Sequence, residues 1–206
     1  MTSGIDVKVG IMGGTFDPIH IAHLIIAEEA RTRLALDRVI FIPAGEPWMK
    51  PGHNVSEAGQ RAEMAKLAIS SNPFFSLSLS EIERPGPTFT VDTLEQLLVE
   101  LGYDTQLFLL LGWDSVAEMT SWKAPYRVSK MATVVAFPRP GFNKPEIAVL
   151  ERAMPGVAER IVFLDAPYLE ISSTGLRKRI ANGGSVRYLV PDAVGQYITE
   201  NKLYTA

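Results

Sequence analysis

Apolar positions in this chain come in short runs, set apart by stretches with a helical rhythm of apolar and polar residues. Val7–Met12 (VKVGIM) is short and apolar and suits a buried strand. Gly13-Gly14 breaks it, Phe16-Asp17-Pro18 is turn chemistry, and from His20 the pattern turns helical, with Ile21, Leu24 and Ile25 against Glu28-Glu29. That helix ends over Leu34–Asp37, and Arg38–Pro43 reads as a second strand. A Pro- and Gly-rich loop, Ala44–Val55, leads to Ser56 as the predicted cap of a helix with its body at Gln60–Ile69. Phe74–Leu79 is a third predicted strand and Glu81–Pro87 a turn-rich connection. A helix opens over Thr88–Leu94, with Thr90 or Asp92 as N-cap and Gly102 as its stop. Gln106–Leu111 is the most apolar strand, Ala132–Phe137 a fifth and Arg160–Leu164 a sixth. Helical pieces are predicted near Val116–Met119, Pro125–Lys130 and Glu146–Ala153, then from Ile171–Thr174 to about Ala181, and after Pro191. Strands alternating with helices predict a doubly wound α/β fold, a parallel sheet with helices on both faces. The whole of 1–206 is expected to be one domain, with a small helical part at about 171–206.

Composition narrows the function classes. A hydrophobic share of 47% supports a sizeable core, and a net charge of −3 makes no electrostatic case for nucleic acid. The absence of cysteine excludes a disulfide framework and thiol catalysis. Met1–Asp6 shows no signal-peptide pattern and no apolar run is long enough for a bilayer, so the expectation is a cytoplasmic protein with no membrane partner. Homo-oligomers are compatible with the sequence.

The chemistry concentrates in the first turn. A strand feeding a helix through Gly13-Gly14 is a common anion site, because backbone N–H groups and the helix N-terminus face the ligand. His20 and His23, three apart, share a helix face there and can donate to non-bridging phosphate oxygens as charge builds. Half of a zinc site is the weaker reading, since the only other histidine is His53 and no HExxH occurs. Ordinary capping histidines are the bland alternative. Ile171-Ser172-Ser173-Thr174 puts three hydroxyls at a helix start with Arg177 one turn inside, suited to a triphosphate or equally to a plain N-cap. Asp114 follows the most apolar strand and suits a ribose hydroxyl or an N-cap. Trp122 reads as a ring stack or as a core aromatic.

Gly13 to His23 (GGTFDPIHIAH) resembles the GGTFDPxHxGH signature of the nucleotidylyltransferase superfamily, with Ala22 where the pattern has Gly. Ile171–Arg177 resembles its ISSTxxR element and Gly112-Trp113-Asp114 its GxD element. Pro43–Pro51 is similar to the IPxxxPPHK loop of the bacterial nicotinate mononucleotide adenylyltransferases, with Trp48-Met49 in place of Pro-His. Thr88–Leu94 is similar to their YTxDTL segment, and Ser121-Trp122-Lys123 lies where they keep a Trp beside the pyridine ring. The resemblance spans Val7 to about Arg179 and implies a Rossmann-like fold that transfers an adenylyl group from ATP to nicotinate mononucleotide. It implies a catalytic role for His20, His23, Lys50 and Arg177, and ATP binding by Gly13, Gly14, Thr15, Phe16, Gly112, Asp114, Ile171, Ser172 and Ser173. Thr88, Thr90, Asp92 and Trp122 would bind the acceptor nucleotide. Mg²⁺ would arrive with ATP, and no metal held by protein ligands is expected. The alternatives are an adenylyltransferase for nicotinamide mononucleotide or phosphopantetheine, or a nucleotide-binding module without turnover.

Overall fold

The structure, a computed structural model, describes residues 7–46 and 55–205. Lys50, with Trp48-Met49 and His53, lies outside the described residues.

Six strands, β1 (Lys8–Gly14), β2 (Arg38–Pro43), β3 (Phe75–Leu77), β4 (Gln106–Gly112), β5 (Ala132–Phe137) and β6 (Ile161–Phe163), form one sheet in the order β3-β2-β1-β4-β5-β6. The sheet is parallel, with Val9 opposite Leu107, Leu109 opposite Val134 and Val135 opposite Val162. Strand order therefore runs outward in two directions from the centre, the Rossmann-like arrangement. Val39–Pro43 of β2 and Val134–Phe137 of β5 are buried without interruption. An unbroken apolar run is what a parallel strand covered on both faces requires.

The helices are α1 (Ile21–Arg33), α2 (Ala58–Ile69), α3 (Ser80–Glu83), α4 (Thr90–Leu101), α5 (Trp113–Glu118), α6 (Pro125–Met131), α7 (Ile147–Ala153), α8 (Ser173–Ala181) and α9 (Asp192–Glu200). Short 3₁₀ turns occupy Met119–Ser121 and Val157–Arg160.

Several helix ends differ from expectation. Glu57, not Ser56, is the N-cap of α2, and Phe89, not Thr90 or Asp92, is the N-cap of α4; neither side chain bonds the helix end. Ser56 is used elsewhere, its N–H donating to Asp17 and its carbonyl accepting from Arg61. The connection after β3 holds a helical turn, α3, too short to leave a periodic signal. Pro191 is the N-cap of α9 rather than its first residue. Gly102 does stop α4, at φ 95°, with its N–H on the Leu98 carbonyl.

The chain forms two compact units. One takes the described residues of Met1–Met12 with Ala27–Ile40 and Phe89–Tyr168, and the other takes Gly13–Ile26, Phe41–Thr88 and the described residues of Leu169–Ala206. The first holds the apolar body of β4, β5 and β6. The second holds the glycine turn, both histidines and α8.

Candidate active site

In the second unit, the turn between β1 and α1 is shaped by its own side chains. A Cβ on Gly14 would stand 2.8 Å from the Phe16 ring, so only glycine fits. One on Gly13 would meet nothing within 4 Å, which leaves open space over the backbone. Phe16 is in the left-handed region at φ 51°, uncommon for a bulky residue, and its ring is buried against Phe41 and edge-on to His23. The Asp17–Pro18 peptide is cis. The two histidine rings lie 3.8 Å apart, centre to centre, and the His20 N–H donates to Nδ1 of His23 at 3.2 Å. That bond fixes His23 as an acceptor at Nδ1, so neutral His23 carries its proton on Nε2.

Arg177 reaches this turn from α8. One guanidinium nitrogen donates to the Asp17 carbonyl at 2.7 Å and lies 3.8 Å from the Asp17 carboxylate. Another donates to the Thr174 hydroxyl at 3.4 Å. A guanidinium has five N–H donors, so capacity remains for a phosphate. Ser172 caps α8, accepting from the Gly175 N–H, and Ser173 Oγ donates to the Pro18 carbonyl at 2.9 Å. Ile171 precedes that cap, half-buried. The first motif and the ISSTxxR-like segment are thus joined by direct bonds.

Three residues at this turn went unnoticed as chemistry in the sequence. Asp17, 2% exposed, accepts from the Tyr204 hydroxyl at 2.6 Å and from the Ser56 N–H at 3.3 Å. Arg61, also 2% exposed, donates to the carbonyls of Thr15, Ala44, Gly45 and Ser56 at 2.6–3.0 Å. Burial lowers its pKa from the ordinary value, while the charge of Asp17 opposes that shift. Tyr204 is held neutral, its pKa raised first by burial and then by its bond to Asp17. The only sequence signal for Arg61 was a charge among the apolar positions of α2, with Ala58, Ala65, Ala68 and Ile69. Nothing local marked Tyr204. Thr88 is buried in this unit, its methyl beside Gly45, where an added Cβ would strike the Glu81 carbonyl at 2.1 Å.

In the first unit, Gly112 ends β4 and is the N-cap of α5, so Asp114 sits in the first turn rather than at the cap. A Cβ on Gly112 would come within 2.6 Å of Asp114 Oδ1. Asp114 Oδ2 pairs with Arg139 at 3.2 Å, whereas the buried Oδ1 has no hydrogen-bond partner among the described residues. The buried indole N–H groups of Trp113 and Trp122 likewise have none. Asp92 is committed to a salt bridge with Lys123, at 2.9 Å, and the same ammonium lies 4.5 Å over the Phe89 ring. The Asp92 carboxylate is therefore paired within the protein. Thr90 supplies the first N–H of α4, one of the amides that a helix cannot satisfy internally. Among the described residues no cluster of three or more His, Cys, Asp or Glu is built to hold a metal ion, and no helix is long and apolar enough to cross a membrane.

Comparison with known proteins gives one consistent result. The family model described as Cytidylyltransferase-like matches residues 11–179. A protein of Roseiflexus castenholzii described as "Probable nicotinate-nucleotide adenylyltransferase" is 47% identical over 204 residues, 99% of this chain and 100% of that protein. One of Dehalococcoides mccartyi with the same description is 44% identical over 200 residues, covering 97% and 98%. Among solved structures, a Plasmodium falciparum nicotinic acid mononucleotide adenylyltransferase complexed with NaAD aligns over 96% of this chain and 97% of that one. Its TM-score is 0.76 at 20% identity, a likeness of fold.

Proposed function

The chain belongs to the cytidylyltransferase-like family, in the branch of the nicotinate-nucleotide adenylyltransferases, and from that premise we propose that it joins nicotinate mononucleotide to the adenylyl group of ATP. The products are nicotinate adenine dinucleotide and pyrophosphate. A phosphate oxygen of the acceptor attacks the α-phosphorus in line; the new P–O bond forms as the bond to pyrophosphate breaks, and no covalent enzyme intermediate is needed. Such a transfer asks the protein for positioning and for donors aimed at the charge that develops.

The observation that carries the reading is the pair of histidines at the start of α1, their rings 3.8 Å apart, on a turn to which Arg177 is directly bonded. His20 is assigned to the α-phosphate. His23, with Nε2–H as its donor, and the remaining N–H groups of Arg177 are assigned to the departing pyrophosphate, with Lys50 adding charge. Gly13, Gly14, Thr15 and Phe16 supply a backbone that phosphate can approach closely, and Ile171, Ser172 and Ser173 the edge of α8. Gly112 and Asp114 are assigned to the ribose: a buried carboxylate oxygen without a partner is suited to accept a hydroxyl. Trp122 is assigned to the pyridinium face. Mg²⁺ enters as Mg·ATP, on phosphate oxygens and water. The reading also takes 1–206 as one nucleotidylyltransferase domain with its C-terminal helical part, working in the cytoplasm.

For the acid-specific acceptor, the N–H groups of Thr90 and Val91 at the start of α4 are assigned to the carboxylate, with Thr88 just before them. A helix N-terminus favours an anion by about 0.3–1 kcal/mol, more when partly buried. An amide would set its NH₂ against those donors at a cost of about 1–3 kcal/mol. Together these give a preference of about one to three orders of magnitude, at about 1.4 kcal/mol per tenfold. Pyrophosphate release from ATP, measured with nicotinate mononucleotide, nicotinamide mononucleotide and phosphopantetheine in turn, tests the assignment. Release with the acid nucleotide above the other two is expected. Equal efficiency with acid and amide overturns the acceptor, and no release with any of the three overturns adenylyl transfer.

A further inference from the structure

We propose that Tyr204 is a positioning residue for the phosphate site, acting through Asp17 on the turn that carries His20; this rests on the adenylyl-transfer reading. Among the described residues, four tethers reach the turn from the C-terminal part of the same unit. Arg177 holds the Asp17 carbonyl, Ser173 the Pro18 carbonyl, and the Leu189 carbonyl accepts the Ile21 N–H at 3.0 Å. Tyr204 supplies the fourth, a hydrogen bond to a side chain: its hydroxyl donates to Asp17 Oδ1 at 2.6 Å, across 187 residues of sequence. Asp17 then spends its other oxygen on the Ser56 N–H and on the charge of Arg177. The phenol thus decides which Asp17 oxygen faces Arg177. Without the phenol, Asp17 can rotate onto Arg177 and draw that guanidinium away from a phosphate. Tyr204 touches no reacting atom, so its effect belongs in the chemical step and not in acceptor binding.

Three measurements on the full chain test this. Tyr204→Phe keeps the ring and removes the hydroxyl. Ile198→Val, in α9, removes one buried methylene without touching Asp17 and controls for loss of stability alone. The expected result for Tyr204→Phe is a fall in kcat of about tenfold or more, since small misplacements of catalytic groups are costly, with KM for the acceptor within about twofold. Ile198→Val should keep kcat. Hydrogen exchange of the amides over Phe16–His23 should speed up in Tyr204→Phe and not in α4. Unchanged kcat in Tyr204→Phe overturns the proposal, as does an equal loss in Ile198→Val. If the unmutated protein releases no pyrophosphate, the functional reading fails instead, and exchange at Phe16–His23 still decides the positioning: no change there overturns it.

Discussion

The glycine turn and the start of α5, one in each unit, treat the polar groups described above differently. Around the glycine turn, Asp17, Arg61, Arg177, Ser173 and Tyr204 are bonded to one another or to backbone carbonyls. In the unit of β4 and α5, one oxygen of Asp114 and the indole N–H groups of Trp113 and Trp122 are buried without a partner among the described residues. A group whose bonds are already made is held in place before any ligand arrives, which suits charge stabilisation in a transition state. A buried polar atom without a partner carries a cost that a ligand's hydroxyl or ring can remove, which suits ground-state recognition. Variants in the braced turn should therefore act on stability and kcat, and variants in the other unit on KM.

The largest effect is expected from Arg61→Met. It strips four carbonyls of their donor and leaves Asp17 without a buried countercharge, a class of change that costs about 3–5 kcal/mol. Urea unfolding followed by circular dichroism measures it; a loss below about 1 kcal/mol would mean the carbonyls find other donors. His23→Ala comes next, with kcat expected to fall about a hundredfold or more while ATP affinity is kept. Steady-state rates beside an ATP-binding titration separate the two, and near-normal turnover would remove His23 from the mechanism. Trp122→Ala should raise KM about two- to tenfold for the acid and the amide nucleotide alike, at stacking energies of about 0.5–1.5 kcal/mol. A changed acid-to-amide ratio would place the discrimination on Trp122 itself.

The smallest effect isolates bracing from catalysis. Glu151, in α7, accepts the N–H groups of Gly156 and Ala158, and these bonds lower its pKa. A depressed folded-state pKa adds stability above the ordinary carboxylate pKa of about 4 and loses it as pH falls through the folded value. Glu151→Gln should lower the Tm slightly at neutral pH, converge with the unmutated protein in acid, and leave turnover intact. Melting curves from pH 3 to 7 would show it, and a lost rate would join α7 to the chemistry.

Much of this was legible in the chain because it is local. The strands Arg38–Pro43 and Ala132–Phe137 have the bounds that their apolar runs gave, since a fully buried parallel strand needs nothing but length and hydrophobicity. The glycine turn and α8 announce themselves in contiguous residues. The misplaced caps of α2 and α4 show where local reading fails: Ser56 had the right chemistry for a cap, but the helix starts one residue later, and the Ser56 backbone bonds Asp17 and Arg61 instead. Arg61 gave only the signal of a charge among the apolar positions of α2. Asp17 looked like a turn residue, and its bond to Tyr204 joins positions that share no pattern at all.

The four bonds of Arg61 all end on main-chain carbonyls, at Thr15, Ala44, Gly45 and Ser56. A clamp of that kind does not read the side chains it holds. Thr15, Ala44 and Ser56 can be exchanged over evolutionary time without loosening it, so far as this clamp is concerned, while the guanidinium cannot be exchanged at all. Heredity at the mouth of this turn is thus unevenly distributed: the residues held by the clamp are the freer ones to drift, and the one that anchors them sits in a separate helix.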